Sequence, residues 1–289
     1  MSSENLSNWG RWGHDDQRGT LNLLTDKHVQ DSASLVRQGR VYSLSMELDK
    51  DGPLPDIRNP LWHRTSLIQR PSPMHSAADD VIVMHTHGTT HIDALCHIFA
   101  ENQMYNGYRV DEAIHPTTGS SKNGVQNIVS IVGRGVLLDI AGFRGVDRLE
   151  SSDEILPAEL DACARDQGVE IKAGDIVLVR TGWVTVFFED PIAFRSNSPG
   201  VSRSVAGWFR DHDISALGAD NMSVEQYPQP PGELKTLHYT VIRDLGGYLM
   251  EFMYLEELAA DRVYEFMFVA APMRLINGIG SPINPLAMC

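Results

Sequence analysis

Residues 81–97 read Val81-Ile-Val-Met-His85-Thr-His87-Gly-Thr-Thr-His91-Ile-Asp93-Ala-Leu-Cys96-His97. An apolar strand-like run enters a Gly/Thr turn, and the turn leads into a segment with helical character, Asp93-Ala-Leu-Cys-His-Ile-Phe99. On a helix Asp93 and His97, four apart, would share a face. The chain has 11 histidines in 289 residues, and four of them fall here, where even scatter would place about 0.5. Imidazole nitrogens with a carboxylate oxygen are the donor set that zinc or manganese takes at a catalytic site with an open position. His87, His91 and Asp93 are the candidate ligands, and His97 the candidate proton carrier. His85 is expected to face outward from the strand, and Cys96 to be a small buried residue.

Outward from this cluster, the pattern is α/β. Strand-like runs cover Val41–Leu48, Val81–Met84, Val136–Ile140, Asp175–Thr181, Ile214–Leu217 and Glu265–Ala270. Val136-Leu-Leu-Asp-Ile and Ile176-Val-Leu-Val are apolar at nearly every position, as strands covered on both faces are. Helix signals are fewer: Thr25 as a cap for a helix to about Arg37, Pro157 opening one that Gly168 ends, Ser202 capping one through Arg210, and Leu255–Ala260. Pro/Gly-rich stretches at 51–60 and 227–232 read as loops, so residues 1–289 are expected to form one domain.

Composition excludes several function classes. A net charge of −14 repels phosphate backbones, which argues against nucleic acid. No run approaches the ~20 apolar residues of a membrane span. The opening MSSENLSNWG lacks a basic start and an apolar core, so a cytoplasmic protein is expected. Three scattered cysteines, Cys96, Cys163 and Cys289, make no disulfide framework. The partner that remains is a small-molecule substrate.

His-x-His pairs also occur in cupin and amidohydrolase barrels. The first would need a nearby glutamate and an all-β chain, the second further histidines such as His115, His212 or His238 after later strands. The run His87-x3-His91-x-Asp93-x3-His97 instead resembles the signature of the cyclase family of metal-dependent hydrolases, whose members act on N-formylkynurenine, isatin and trans-dienelactone. Thr89 stands where that signature commonly has Gly, with Gly88 one place earlier. Trp9-Gly-Arg-Trp12 through Asn22 is similar to the opening of the longer, isatin-hydrolase-like branch. Gly174–Trp183, Leu217–Glu225 and Gly280–Pro285 resemble later family blocks.

The resemblance implies a swivelling β/β/α fold, a sheet-rich, partly closed barrel with flanking helices. It implies that His238 and Glu251, thirteen residues apart, act at the site, either on a second metal or as acid/base groups. It implies Mn2+ or Zn2+ as cofactor, a homodimer or homotetramer, and an arm, residues 1–24, that helps cover the pocket. Phe99, Tyr105, Trp62 and Tyr108 are candidate aromatic linings, and Asp220 a candidate pocket residue. The expected reaction is hydrolysis of a cyclic amide or lactone; arylformamidase activity, or a non-catalytic metal-binding role, is the alternative.

Overall fold

The computed structural model describes residues 6–71, 75–229 and 236–289. Eleven strands of three residues or more organise the described residues: β1 (Val41–Ser43), β2 (Trp62–Ile68), β3 (Ala77–Val83), β4 (His91–Asp93), β5 (Ile131–Asp139), β6 (Ile176–Arg180), β7 (Ala216–Ala219), β8 (Tyr248–Glu251), β9 (Glu265–Ala270), β10 (Gly280–Pro282) and β11 (Leu286–Met288). Nine of them form one mixed sheet in the order β1-β11-β9-β5-β6-β7-β8-β4-β10. β5, β6, β7 and β8 run parallel at its centre, and antiparallel strands extend both sides. The sheet curves into a half-barrel with helices against it.

Central position explains composition. β6 and β7 are buried at every residue, and so is β5 from Gly135 onward, as their unbroken apolar runs predict. The α-helices of five residues or more are α1 (Asp26–Ala33), α2 (Pro157–Asp166), α3 (Val184–Glu189), α4 (Pro191–Ser196), α5 (Val205–Asp211) and α6 (Glu256–Ala260). Thr25 caps α1 and Pro157 opens α2, while the helix expected from Ser202 begins at Val205. Strand β1 is shorter than the 41–48 run because bridging beyond Ser43 is limited to Ser45 with Met253.

One expectation fails. Residues 93–97 do not form a helix: His91–Asp93 is a strand, and a turn follows it. Pairing on both sides, Glu251 opposite His91 and Gly280 opposite Asp93, takes up the backbone groups that a helix would use internally. Asp93 and His97 therefore approach through a turn, not across a helical face.

The N-terminal arm packs on its own chain. Asn8 donates to the Leu245 carbonyl, Trp9 Nε1 to the Arg243 carbonyl, and Thr20 Oγ1 to the Ser215 carbonyl. Asp16 accepts from the Tyr105 hydroxyl. Among the described residues no helix is long and apolar enough to cross a membrane. The three cysteines are free and buried.

Candidate metal centre

Strand periodicity builds the site. His91 and Asp93, two apart on β4, point to the same face while Ile92 points to the other. Glu251 sits directly opposite His91 on β8, so its carboxylate shares that face. His87 arrives from the preceding turn, His97 from the following one, and His238 from the start of a π-helical segment, Tyr239–Asp244, a rare conformation often found at functional sites.

Asp93 is the hub. Its Oδ1 lies 3.4 Å from His87 Nε2, 3.6 Å from His91 Nε2 and 3.9 Å from His97 Nε2, and its Oδ2 lies 3.7 Å from His238 Nε2. Glu251 closes the far side, with Oε2 3.2 Å from His91 Nε2 and Oε1 2.9 Å from His238 Nε2. The donor atoms of His87, Asp93 and His97 all lie within 4.8 Å of one another, as do those of His91, Asp93 and Glu251. Two triads therefore share one carboxylate. All six residues named from sequence meet here.

Buried polar atoms without partners test whether a cation fits. His87 Nε2 and both oxygens of Asp93 are buried and make no hydrogen bond, an arrangement that costs free energy unless something satisfies it. The other ring nitrogens are already committed: His91 Nδ1 to the Thr89 carbonyl at 2.8 Å and His87 Nδ1 to Thr86 Oγ1 at 3.2 Å. That leaves the Nε2 atoms converging on carboxylate oxygens, a donor set suited to a divalent ion of the zinc or manganese type.

Electrostatics agree. Burial pulls His91 and His238 down, but the facing carboxylates of Glu251, Asp93 and Glu225 outweigh it and hold both above the usual imidazole value. Glu251, although buried, is held far below the usual carboxylate range by the same two imidazoles. His87, with less compensation, falls to about 3, chiefly through burial. A buried cluster this rich in carboxylate draws positive charge, as protons or as metal.

Glu225 is a residue that sequence reading did not single out. Its Oε1 meets His238 Nδ1 at 2.7 Å, and its Oε2 accepts from Leu237 N at 2.6 Å. Backbone strain marks the surroundings: Thr89, Val224 and Phe252 all adopt positive φ, at 52°, 59° and 55°. Bulky or β-branched residues rarely do so, and here each adjoins a site segment. Thr89 thus keeps the left-handed turn that glycine would make without strain.

Other candidates lie elsewhere. Asp220 is buried but accepts from Thr181 N, Thr181 Oγ1 and Gly182 N, pinning the end of β6. Tyr105 is fully buried against Asp16, Tyr108 packs on the core, and Phe99 and Trp62 are exposed. His85 is exposed, His212 bonds the Trp208 carbonyl, and His115 pairs with Thr117. Four central parallel strands in a mixed sheet also exclude an eightfold β/α barrel.

The fold matches that of known proteins. The crystal structure of a novel cyclase superposes with a TM-score of 0.90 at 32% identity, covering 98% of this chain and 100% of that one. Isatin hydrolase A from Labrenzia aggregata, bound to benzyl benzoate, gives 0.63 at 23% identity over 91% of this chain and 98% of that one. Isatin hydrolase A from Ralstonia solanacearum gives 0.64 at 20% over 91% and 97%. These last two likenesses concern the fold. No curated protein sequence matches the chain. The family model Cyclase ("Putative cyclase") matches residues 42–226, which hold β4 and the residues His87, His91, Asp93, His97 and Glu225. With that match and the 32% identity over nearly its full length, the chain belongs to the cyclase family.

Proposed function

We propose that this protein is a metal-dependent hydrolase that opens a cyclic amide or lactone of the isatin or dienelactone type. The observation that carries the reading is the pair of triads meeting at Asp93, whose oxygens are buried without partners. His87, His91 and Asp93 would hold the ion, because Asp93 Oδ1 lies closest to those two imidazoles. Such an ion, when bound, polarises a carbonyl and acidifies water to a pKa of about 7.

The chain's own groups supply the rest. His97 is the most exposed ring of the cluster, with a side chain 24% accessible. From there it accepts the proton of the attacking water and hands it to the departing nitrogen or oxygen, so that one C–N or C–O bond breaks as one C–O bond forms. Glu251 orients His91 and His238 from across the strand pair. Phe252, part of a buried cluster with Met46 and Trp183, lies against His91 with ring centroids 5.8 Å apart. The isatin hydrolase fold neighbours and the tryptophan-rich arm favour a cyclic amide as first substrate.

The test is elemental analysis with turnover of isatin, dienelactone and N-formylkynurenine in added Zn2+ or Mn2+. Ring opening of either cyclic compound is expected; inertness toward all three would overturn the reading. Asp93→Ala should lose metal and turnover together. His97→Ala should keep metal while kcat falls about 10²–10⁴-fold. Metal loss in His97→Ala would reassign His97 as a ligand.

A further inference from the structure

His238 and Glu251 are the two ends of one continuous segment. From His238 the chain runs through the π-helical turns of Tyr239–Asp244, reverses at Gly246 with a φ of 65°, and enters β8, which ends at Glu251. The 2.9 Å approach of His238 Nε2 to Glu251 Oε1 therefore depends on how many residues each intervening turn takes up. Those turns are wide. Leu245 N donates to the Thr240 carbonyl, five residues back, and Gly247 N to the Val241 carbonyl, six back. An α-helical winding of the same residues, with bonds four apart, is the common alternative, so the wider one needs a constraint from outside.

The N-terminal arm supplies it. At the C-terminal end of a helix the last carbonyls lack partners within the helix. Here four successive ones, Arg243 through Gly246, each accept from the arm. Trp9 Nε1 donates to Arg243 at 2.7 Å, Asn8 N to Asp244 at 2.9 Å, Asn8 Nδ2 to Leu245 at 3.0 Å and Thr20 N to Gly246 at 2.8 Å. Asn8 and Thr20 are buried, so a carbonyl that loses its donor there stays unsatisfied. The Arg243 guanidinium lies over two rings, 4.9 Å from the centre of Trp9 and 5.0 Å from that of Tyr239, and ties the arm to the residue next to His238.

We propose that Asn8, Trp9 and Thr20 are positioning residues of the metal centre: by capping 243–246 they fix the π winding of the segment, and with it the placement of His238 against Glu251. Among the described residues, no hydrogen bond or ion pair joins 6–24 to the six residues of the centre, so the arm acts through the backbone of the segment. Tightening the winding by one residue would turn His238 by about 100° around the helix axis, carrying its ring off Glu225 and Glu251. The effect on turnover rests on the hydrolase proposed above; the placement of His238 does not.

The test compares Asn8→Ala, Trp9→Phe and the double variant with Leu24→Ala, which removes an arm side chain packed beside Gly133 of β5 and leaves all four caps in place. In the metal-free full chain, the ring 15N signals of His238 should shift in the double variant, and the amides of Leu245 and Gly247 should exchange about 10-fold faster. Each single variant should show the same changes in smaller measure, which keeps the test open if the double variant does not fold. Leu24→Ala should lower the melting temperature and move neither signal. With substrate, kcat of the double variant should fall about 10–100-fold while KM stays nearly constant. Unmoved His238 signals and unmoved amide exchange in the cap variants would overturn the proposal. Equal shifts in Leu24→Ala would overturn it too, by reducing the arm to general stability. If no substrate is turned over, the hydrolase reading fails, while the ring and amide signals still decide the role of the arm.

Discussion

Glu225 and His238 meet through Oε1 and Nδ1 at 2.7 Å, and the same carboxylate also accepts from the backbone of Leu237. A carboxylate oxygen accepts from a ring N–H, so Nδ1 carries a hydrogen and is held on Glu225, which turns Nε2 toward Glu251 and Asp93. Glu225 thereby fixes which nitrogen His238 presents to the centre. The strained residue Val224, held by Asn221 Oδ1 at 2.7 Å, aims that carboxylate.

Glu225→Gln disturbs this arrangement. The amide still accepts from Leu237 N but offers a donor to Nδ1 and removes one of the two carboxylates that raise His238, so the ring gives up its Nδ1 hydrogen and keeps the Nε2 hydrogen that Glu251 accepts. Turnover should fall about 10–100-fold with the fold retained, and ring 15N shifts of His238 should report loss of the Nδ1 hydrogen. Wild-type turnover with both ring hydrogens retained would show that Glu225 is only a packing residue.

Gly280 lies beside His87, and a Cβ there would come within 2.4 Å of the imidazole Nε2. Gly280→Ala must therefore displace His87 from Asp93. We expect metal content to drop while unfolding midpoints change little, since the pairing of β10 with β4 needs no side chain at this position. Full metal occupancy in the alanine variant would mean that His87 is not a ligand.

Thr89 offers a gain in stability. Its φ of 52° is unfavourable for a β-branched residue by about 1–3 kcal/mol, while glycine loses roughly 0.5–1 kcal/mol more backbone entropy on folding. The side chain returns nothing, because its buried hydroxyl has no partner. Thr89→Gly should raise stability by about 1 kcal/mol in urea unfolding. Destabilisation would indicate that packing of the threonine methyl outweighs the strain.

The core of the fold was legible because β5 and β6 are long apolar runs, a pattern that only doubly covered strands need. β4, β8 and β10 were not, since three or four residues are too few to show a period. Ala94-Leu95-Cys96 is apolar whether helical or not, and the long-range pairing that decided it is invisible locally. For the site, His87, His91, Asp93 and His97 were readable from density alone. His238 and Glu251 required family likeness, because each stands singly in its own segment. Glu225 was read only as the end of the family-like block Leu217–Glu225, with no role of its own: that role arises only when the turn at Val224 brings it under His238.

Asp220 accepts three backbone or hydroxyl donors at the end of β6, although burial raises it to about 6. Asp220→Asn places an amide donor against at least one of these donors and should cost about 1–3 kcal/mol at pH 7. Hydrolytic turnover per folded molecule should be unchanged, because Asp220 does not touch the metal centre. A large loss of turnover at full stability would place it in the pocket instead.

Asp175 gives the pH dependence a sign. Burial lifts its carboxyl to about 6, overriding the Arg134 guanidinium 2.7 Å away. The folded chain then binds this proton more tightly than the unfolded chain, whose carboxyl titrates near 4. Stability from this group is fully present below pH ~4 and is lost as pH rises through about 6. Asp175→Asn removes the titration but retains an oxygen for Arg134 Nη1 and Lys172 N, both of which bond the same carboxylate oxygen. The stability of wild type relative to this variant should therefore fall by about 1–2 kcal/mol between pH 4 and 7, read from urea unfolding at each pH, with other titrating groups cancelling in the difference. A relative stability that rises with pH would show that the Arg134 pair dominates over burial and holds the carboxyl below its unfolded value.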